Sequence, residues 1–141
     1  MDKKIMGLVG GIAAVFLVLV VAAVLTTGGT QVTIVNETFN IPQGFSEVDP
    51  SNSSIVAVYA RNTESKYFMN DANDTIIIQV YQSSEVLNDV PVMPGEVNKT
   101  MGGINGLYKI DDENHVFRYP HGTHGITITA PSDELIEQVL R

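Results

Sequence analysis

The sequence predicts an α+β fold. An N-terminal transmembrane helix is followed by a mostly antiparallel β-sheet domain with a C-terminal helix packed on the sheet. Three observations predict it. Residues 5–25 carry no polar side chain. Short β-branched and aromatic runs, punctuated by Asn, Asp, Gly and Pro, fill most of the chain after residue 30. The chain closes on Leu135, Ile136, Val139 and Leu140, an apolar stripe at helical spacing.

The elements follow in order. Residues 1–4 form a tip carrying Lys3 and Lys4. The 21 apolar residues of 5–25 would span about 31 Å as a helix, near the thickness of a bilayer's hydrocarbon core. This run exceeds the roughly 7–15 residues of a secretory signal's apolar stretch, which favours an uncleaved anchor over a cleaved signal. The two lysines hold the N-terminus in the cytoplasm and place the rest of the chain outside. Gly7 and Gly11 form a GxxxG pair, a spacing that lets two membrane helices pack closely. Residues 26–31 are a short linker, and residues 32–141 are the extracytoplasmic domain.

Within that domain, residues 32–35 and 38–41 flank Asn36-Glu37 as a tight hairpin, ended by Pro42-Gln43-Gly44. Residues 48–54 read as a loop. Residues 55–60 are apolar on both faces, as in a central strand. The cluster 70–74 is a turn. In the strand 75–81, Ile76, Ile78 and Val80 share one face. Ser84 is positioned to cap a short helix ending at Leu87, and residues 90–98 are irregular, with Pro91, Pro94 and Gly95. A meander follows. Strands 99–104 and 107–110 flank Asn105-Gly106, the strongest short hairpin signal. Residues 111–114 turn, and strands 115–119 and 126–129 flank the loop 120–125. Ser132 caps the last helix, with Asp133 and Glu134 at its positive end.

Charge excludes several function classes. The chain has 16 acidic and 8 basic side chains, for a net charge of −8. No ionisable side chain lies between Lys4 and Glu37, so residues 31–141 carry −9. Such a domain repels nucleic acid and anionic membrane surfaces. No Cys is present, which excludes a disulfide scaffold and a thiol nucleophile.

Two motifs carry a resemblance. One is Phe39-Asn40-Ile41-Pro42-Gln43-Gly44-Phe45, closed far downstream by Ile126-Thr127-Ile128-Thr129-Ala130-Pro131-Ser132-Asp133-Glu134. The other is Gly103-Ile104-Asn105-Gly106. With the lysine-tagged anchor, they make the chain resemble small membrane-anchored surface proteins of methanogenic archaea, a group without an assigned activity. The order of strands and last helix is similar, more remotely, to the photosystem-extrinsic lipoprotein fold and to domains of bacterial envelope-stress regulators. That resemblance implies a binding or accessory module and assigns no site residues.

Candidate chemistry is sparse. Asn36, Asn52, Asn73 and Asn98 each begin an N-x-S/T sequon. Ten Asn among 19 Ser and Thr in 141 residues would produce one or two by chance, so four is an excess that points to glycosylation. His121 and His124, with His115 nearby, form the one metal-like cluster in the sequence. Closed zinc sites want four ligands, and the acids Asp111, Asp112 and Glu113 fall at the opposite strand ends, so an exposed hairpin loop is the simpler reading. The sequence has no G-x-S-x-G, H-E-x-x-H, P-loop or dinucleotide fingerprint. These features together predict a non-enzymatic, cofactor-free surface domain on a single-pass anchor that binds or supports an envelope partner. The alternative is a subunit of a filament or larger membrane complex, self-associating through the Gly7 and Gly11 face.

Overall fold

Alternation of apolar side chains builds the centre of the domain, and short polar turns fold it back on itself. A computed structural model describes residues 29–52 and 61–141. The segment 5–25, with Gly7 and Gly11, and the run 55–60 lie outside the described residues. Among the described residues, no helix is long and apolar enough to cross a membrane. Gln31–Arg141 forms one unit.

The elements are β1 (Thr30–Ile34), β2 (Glu37–Ile41), β3 (Ser46–Val48), β4 (Thr63–Met69), β5 (Thr75–Gln82), β6 (Val97–Met101), β7 (Ile104–Asp111), β8 (Asn114–His121), β9 (His124–Ala130) and α1 (Asp133–Leu140), with one 3-10 turn at Pro50–Asn52. Among the described residues, seven strands form one antiparallel sheet in the order β3-β4-β5-β9-β8-β7-β6. β1 and β2 make a separate two-stranded sheet.

The expected antiparallel sheet and C-terminal helix are both present. The inner face of the sheet buries Phe68, Ile76, Ile78, Val80, Phe117, Ile126 and Ile128. Ile34, Phe39 and Ile41 of the β1–β2 hairpin and Ile136 and Val139 of α1 cover it. Ser132 caps α1 as expected, its Oγ accepting from the Leu135 amide at 3.3 Å. Asn40 Nδ2 donates to the Arg141 carbonyl and ties the hairpin to the end of the helix. On the outer face, Tyr67 and Ile77 are buried beside Val48.

Three turns lie elsewhere than the sequence suggests. The first is Val35-Asn36, not Asn36-Glu37; both residues have positive φ, 49° and 65°, as a two-residue hairpin turn demands. The second is Gly102-Gly103, at 57° and 79°, and not Asn105-Gly106. Two adjacent glycines meet that demand without strain, so the glycine pair outcompetes Asn-Gly. Gly106 instead lies inside β7, where a Cβ would come 2.5 Å from the Arg118 carbonyl oxygen and 2.7 Å from the Phe117 ring. The third turn is Gly122-Thr123, so the expected six-residue loop is two residues long and His121 pairs with His124. The expected helix from Ser84 is absent; the Ser83 hydroxyl accepts the Glu85 amide at 3.1 Å in an irregular segment. β3 takes in Val48, expected in a loop, and β4 fills 63–69, where the sequence predicts no element, because their polar outer positions blur the alternation.

Ile136 has no exposed surface, and truncating a buried Ile typically costs about 2–5 kcal/mol. Ile136→Ala is expected to lower the thermal midpoint by roughly ten degrees or more, at about 4–8 °C per kcal/mol for a domain of this size. Gly106→Ala, which drives a methyl into backbone and ring, is expected to cost about 1–3 kcal/mol. Thermal melts followed by circular dichroism check both.

Candidate functional site

Residues 83–96 connect β5 to β6 as a strap across the outer face of the sheet. Pro91, Pro94 and Gly95 deny it a regular ladder, so its backbone is held from outside. The amides of Ser83 and Leu87 donate to the Thr123 and Gly122 carbonyls, each at 2.8 Å. Arg118 of β8 fastens the other half. Its Nε and Nη2 donate to the two Glu96 oxygens, each at 2.6 Å, and Nη2 also donates to the Pro91 carbonyl at 2.7 Å. The Glu96 side chain is 1% exposed and also accepts the Met93 amide at 2.8 Å. The Arg118 guanidinium holds the Glu96 carboxyl below its ordinary range; burial opposes this and the Met93 amide supports it.

The strap leaves a groove of about 800 Å³ against β6 and β7, within the roughly 300–1,000 Å³ usual for ligand sites. Its polar lining includes Asn88, Asp89, Asn98, Thr100 and Asn105. Val90, Pro91, Val92, Leu107 and Pro120 supply apolar surface. On the strap's other side, Tyr81, Leu87 and Gly125 line a smaller hollow of about 200 Å³. Val86, Val92 and Met93 of the strap and neighbouring Val97 are 51–69% exposed.

Two polar clusters sit on the inner side. At the start of α1, Asp133 accepts from Lys99 Nζ at 2.8 Å, from the Tyr108 hydroxyl at 2.6 Å and from His115 Nδ1 at 2.6 Å. Burial works to raise the Asp133 carboxyl, but hydrogen bonds from Lys99, Tyr108 and His115 outweigh it and hold it at about 2. Burial, with the Asp133 bond and charge, pushes the Tyr108 phenol up to about 12. Lys99 also lies 4.0 Å over the Tyr108 ring. The Tyr108 hydroxyl also lies 2.7 Å from His115 Nδ1. One carboxylate thus ties the helix to β6, β7 and β8.

At the other end of β8, Glu37 accepts from His121 Nδ1 at 2.9 Å and from His124 Nδ1 at 2.5 Å. Burial, with the Glu37 charge, raises the Tyr119 phenol nearby. The structure therefore separates His115 from His121 and His124, and it supplies a carboxylate from β2 where the sequence offered only Asp111–Glu113. Among the described residues, no three His, Asp or Glu side chains are arranged to hold a metal ion.

Asn36, Asn73 and Asn98 are exposed. Asn36 and Asn73 stand at turns, whereas Asn98 lies on β6 and lines the groove. Asn52 closes the 3-10 turn. Sequence reasoning missed Glu37, Glu96, Arg118 and Asp133. Arg118, the one cation between Lys109 and Arg141, was the available signal. No family model, curated protein or solved structure matches the chain.

Two outcomes test these clusters. Arg118→Met leaves the Glu96 carboxylate buried and unpaired, which typically costs about 3–5 kcal/mol; adding Glu96→Leu is expected to restore much of that loss in denaturant melts. Asp133 has a folded value of about 2 against an ordinary 3.8. Its stabilising contribution is therefore complete above pH 4 or so and lost as pH falls from about 4 towards about 2. Asp133→Asn is expected to flatten the fall of the thermal midpoint across that window; an unchanged profile contradicts the clamp.

Proposed function

We propose that the chain is a single-pass, membrane-anchored domain on the outer side of the cell, which binds an envelope partner and catalyses no reaction. Residues 5–25 and the two preceding lysines support the anchor and its orientation. The four sequons support an exterior, glycosylated surface. The observation that carries the binding reading is the strap. It presents Val86, Val92 and Met93 to solvent on a backbone braced by a pair whose acid is 1% exposed. Single exposed apolar residues are ordinary. Several on one pre-organised segment are different, because a partner that docks there orders little that is not already ordered. An acidic domain of charge −9 suits a neutral or basic protein surface.

A second reading rests on Gly7 and Gly11, whose spacing favours self-association of the anchors.

The chain has no Cys, so Met93→Cys in the full chain installs a single thiol on the strap. A membrane-impermeant thiol crosslinker applied to whole cells is expected to label it and to yield a discrete adduct with another protein. Glu47→Cys, an exposed position on β3, is expected to be labelled without that adduct. No labelling of either variant overturns the topology, and labelling without an adduct overturns binding at the strap. An adduct between two copies of the chain favours the second reading.

A further inference from the structure

We infer that the groove beside the strap is the bed of an N-linked glycan carried by Asn98. The inference rests on the exterior, glycosylated reading above and goes beyond it by assigning one sequon and the place where its sugars lie. Asn98 is on β6, at one end of the sheet among the described residues, and it lines the groove together with Thr100. The Thr100 hydroxyl is exposed and donates to Asn105 Oδ1 at 2.6 Å, so the sequon stays presentable in the folded domain. The sequon at Asn73 differs. Thr75 is 4% exposed and its hydroxyl donates to the Asn73 carbonyl at 3.4 Å. Asn36 stands at the tip of the β1–β2 turn.

The groove suits a neutral polyhydroxyl chain. The carboxamides of Asn88 and Asn105 donate and accept, as sugar hydroxyls do. Pro91 and Leu107 offer apolar surface to the C–H faces of sugar rings. The one cation of the lining, Lys99, is committed to Asp133, so nothing there selects an anionic ligand.

The attachment needs a sugar donor linked through its anomeric carbon to a lipid phosphate. Asn98 Nδ2 forms the new bond to that carbon, the carbon–oxygen bond to phosphate breaks with its electron pair, and the lipid phosphate leaves. The amide proton passes to base, and nothing is oxidised or reduced.

The full chain is produced in cells that export the domain and attach N-glycans. Glycopeptide mass spectrometry is expected to find Asn98 occupied. Hydrogen exchange at the Leu87 and Met93 amides, both hydrogen-bonded in the strap, is expected to be at least tenfold slower than in Asn98→Gln or after enzymatic trimming of the sugars. Exchange at Ile78 in the core is expected to stay the same, which shows that the fold is intact. Thr100→Ser keeps the sequon and is expected to behave as the parent chain. A glycan on Asn36 with Asn98 bare overturns the inference. So does an occupied Asn98 whose trimming leaves Leu87 and Met93 unchanged, because the sugars then project into solvent and leave the groove to another occupant. If no sequon is modified while the Met93→Cys chain is labelled from outside by the impermeant thiol reagent, the glycosylation reading falls with the inference and the topology stands.

Discussion

One face of the large antiparallel sheet has to be covered, and the rest of the structure depends on that constraint. Ile76, Ile78, Val80, Ile126, Ile128 and Phe117 have at most 1% of their surface exposed. The pieces that cover them are small. α1 has 8 residues and β1 and β2 have 5 each, too short for a helix or a lone hairpin to be stable in water. Apolar contact is non-directional, so it fixes burial better than it fixes position. Position comes from two carboxylates. Glu37 anchors β2 to the β8–β9 turn, and Asp133 anchors the helix start to three strands. Each acid draws partners from separate elements, so each works as a bolt between layers.

The outer face is built the other way. There the cover is a strap with two prolines and no ladder of its own. Arg118 and Glu96 hold it through a bidentate pair whose carboxylate side chain is 1% exposed. Desolvating such a pair offsets much of its attraction, so its contribution lies in geometry more than in net stability. The strap is tied at Pro91 and Glu96, with the groove between it and β7 and with Val92 and Met93 exposed.

The legible parts of the fold were those with a short period. Alternation placed Ile76, Ile78 and Val80 on one face, and helical spacing placed Ile136 and Val139 against the sheet. Turn chemistry located the bends at 70–74 and 111–114. It misplaced the β6–β7 turn because Gly102-Gly103 and Asn105-Gly106 compete within five residues; the glycine pair takes the positive-φ turn, and Gly106 is left inside β7 under Phe117. The sequons and histidines were readable as types. Their partners were not. Glu37 lies 84 and 87 residues from the imidazoles it bridges, and Glu96 lies 22 from Arg118. No local pattern reports a pairing across such distances.

By itself, then, the sequence determined what depends on neighbours along the chain: which segments alternate or carry an apolar stripe, where the final helix forms, which Asn residues begin sequons, and the charge of the domain. Only the tertiary structure decided which side chains meet. It split the three histidines between two carboxylates, buried Glu96 beneath the strap, and set Asn98 in a groove while Asn36 and Asn73 stand on open turns. The physical reason is that strand order is chosen by burial of the whole sheet. Pairing β5 with β9, some fifty residues apart along the chain, brings distant polar groups to the rims, where each carboxylate needs donors and takes those the topology delivers.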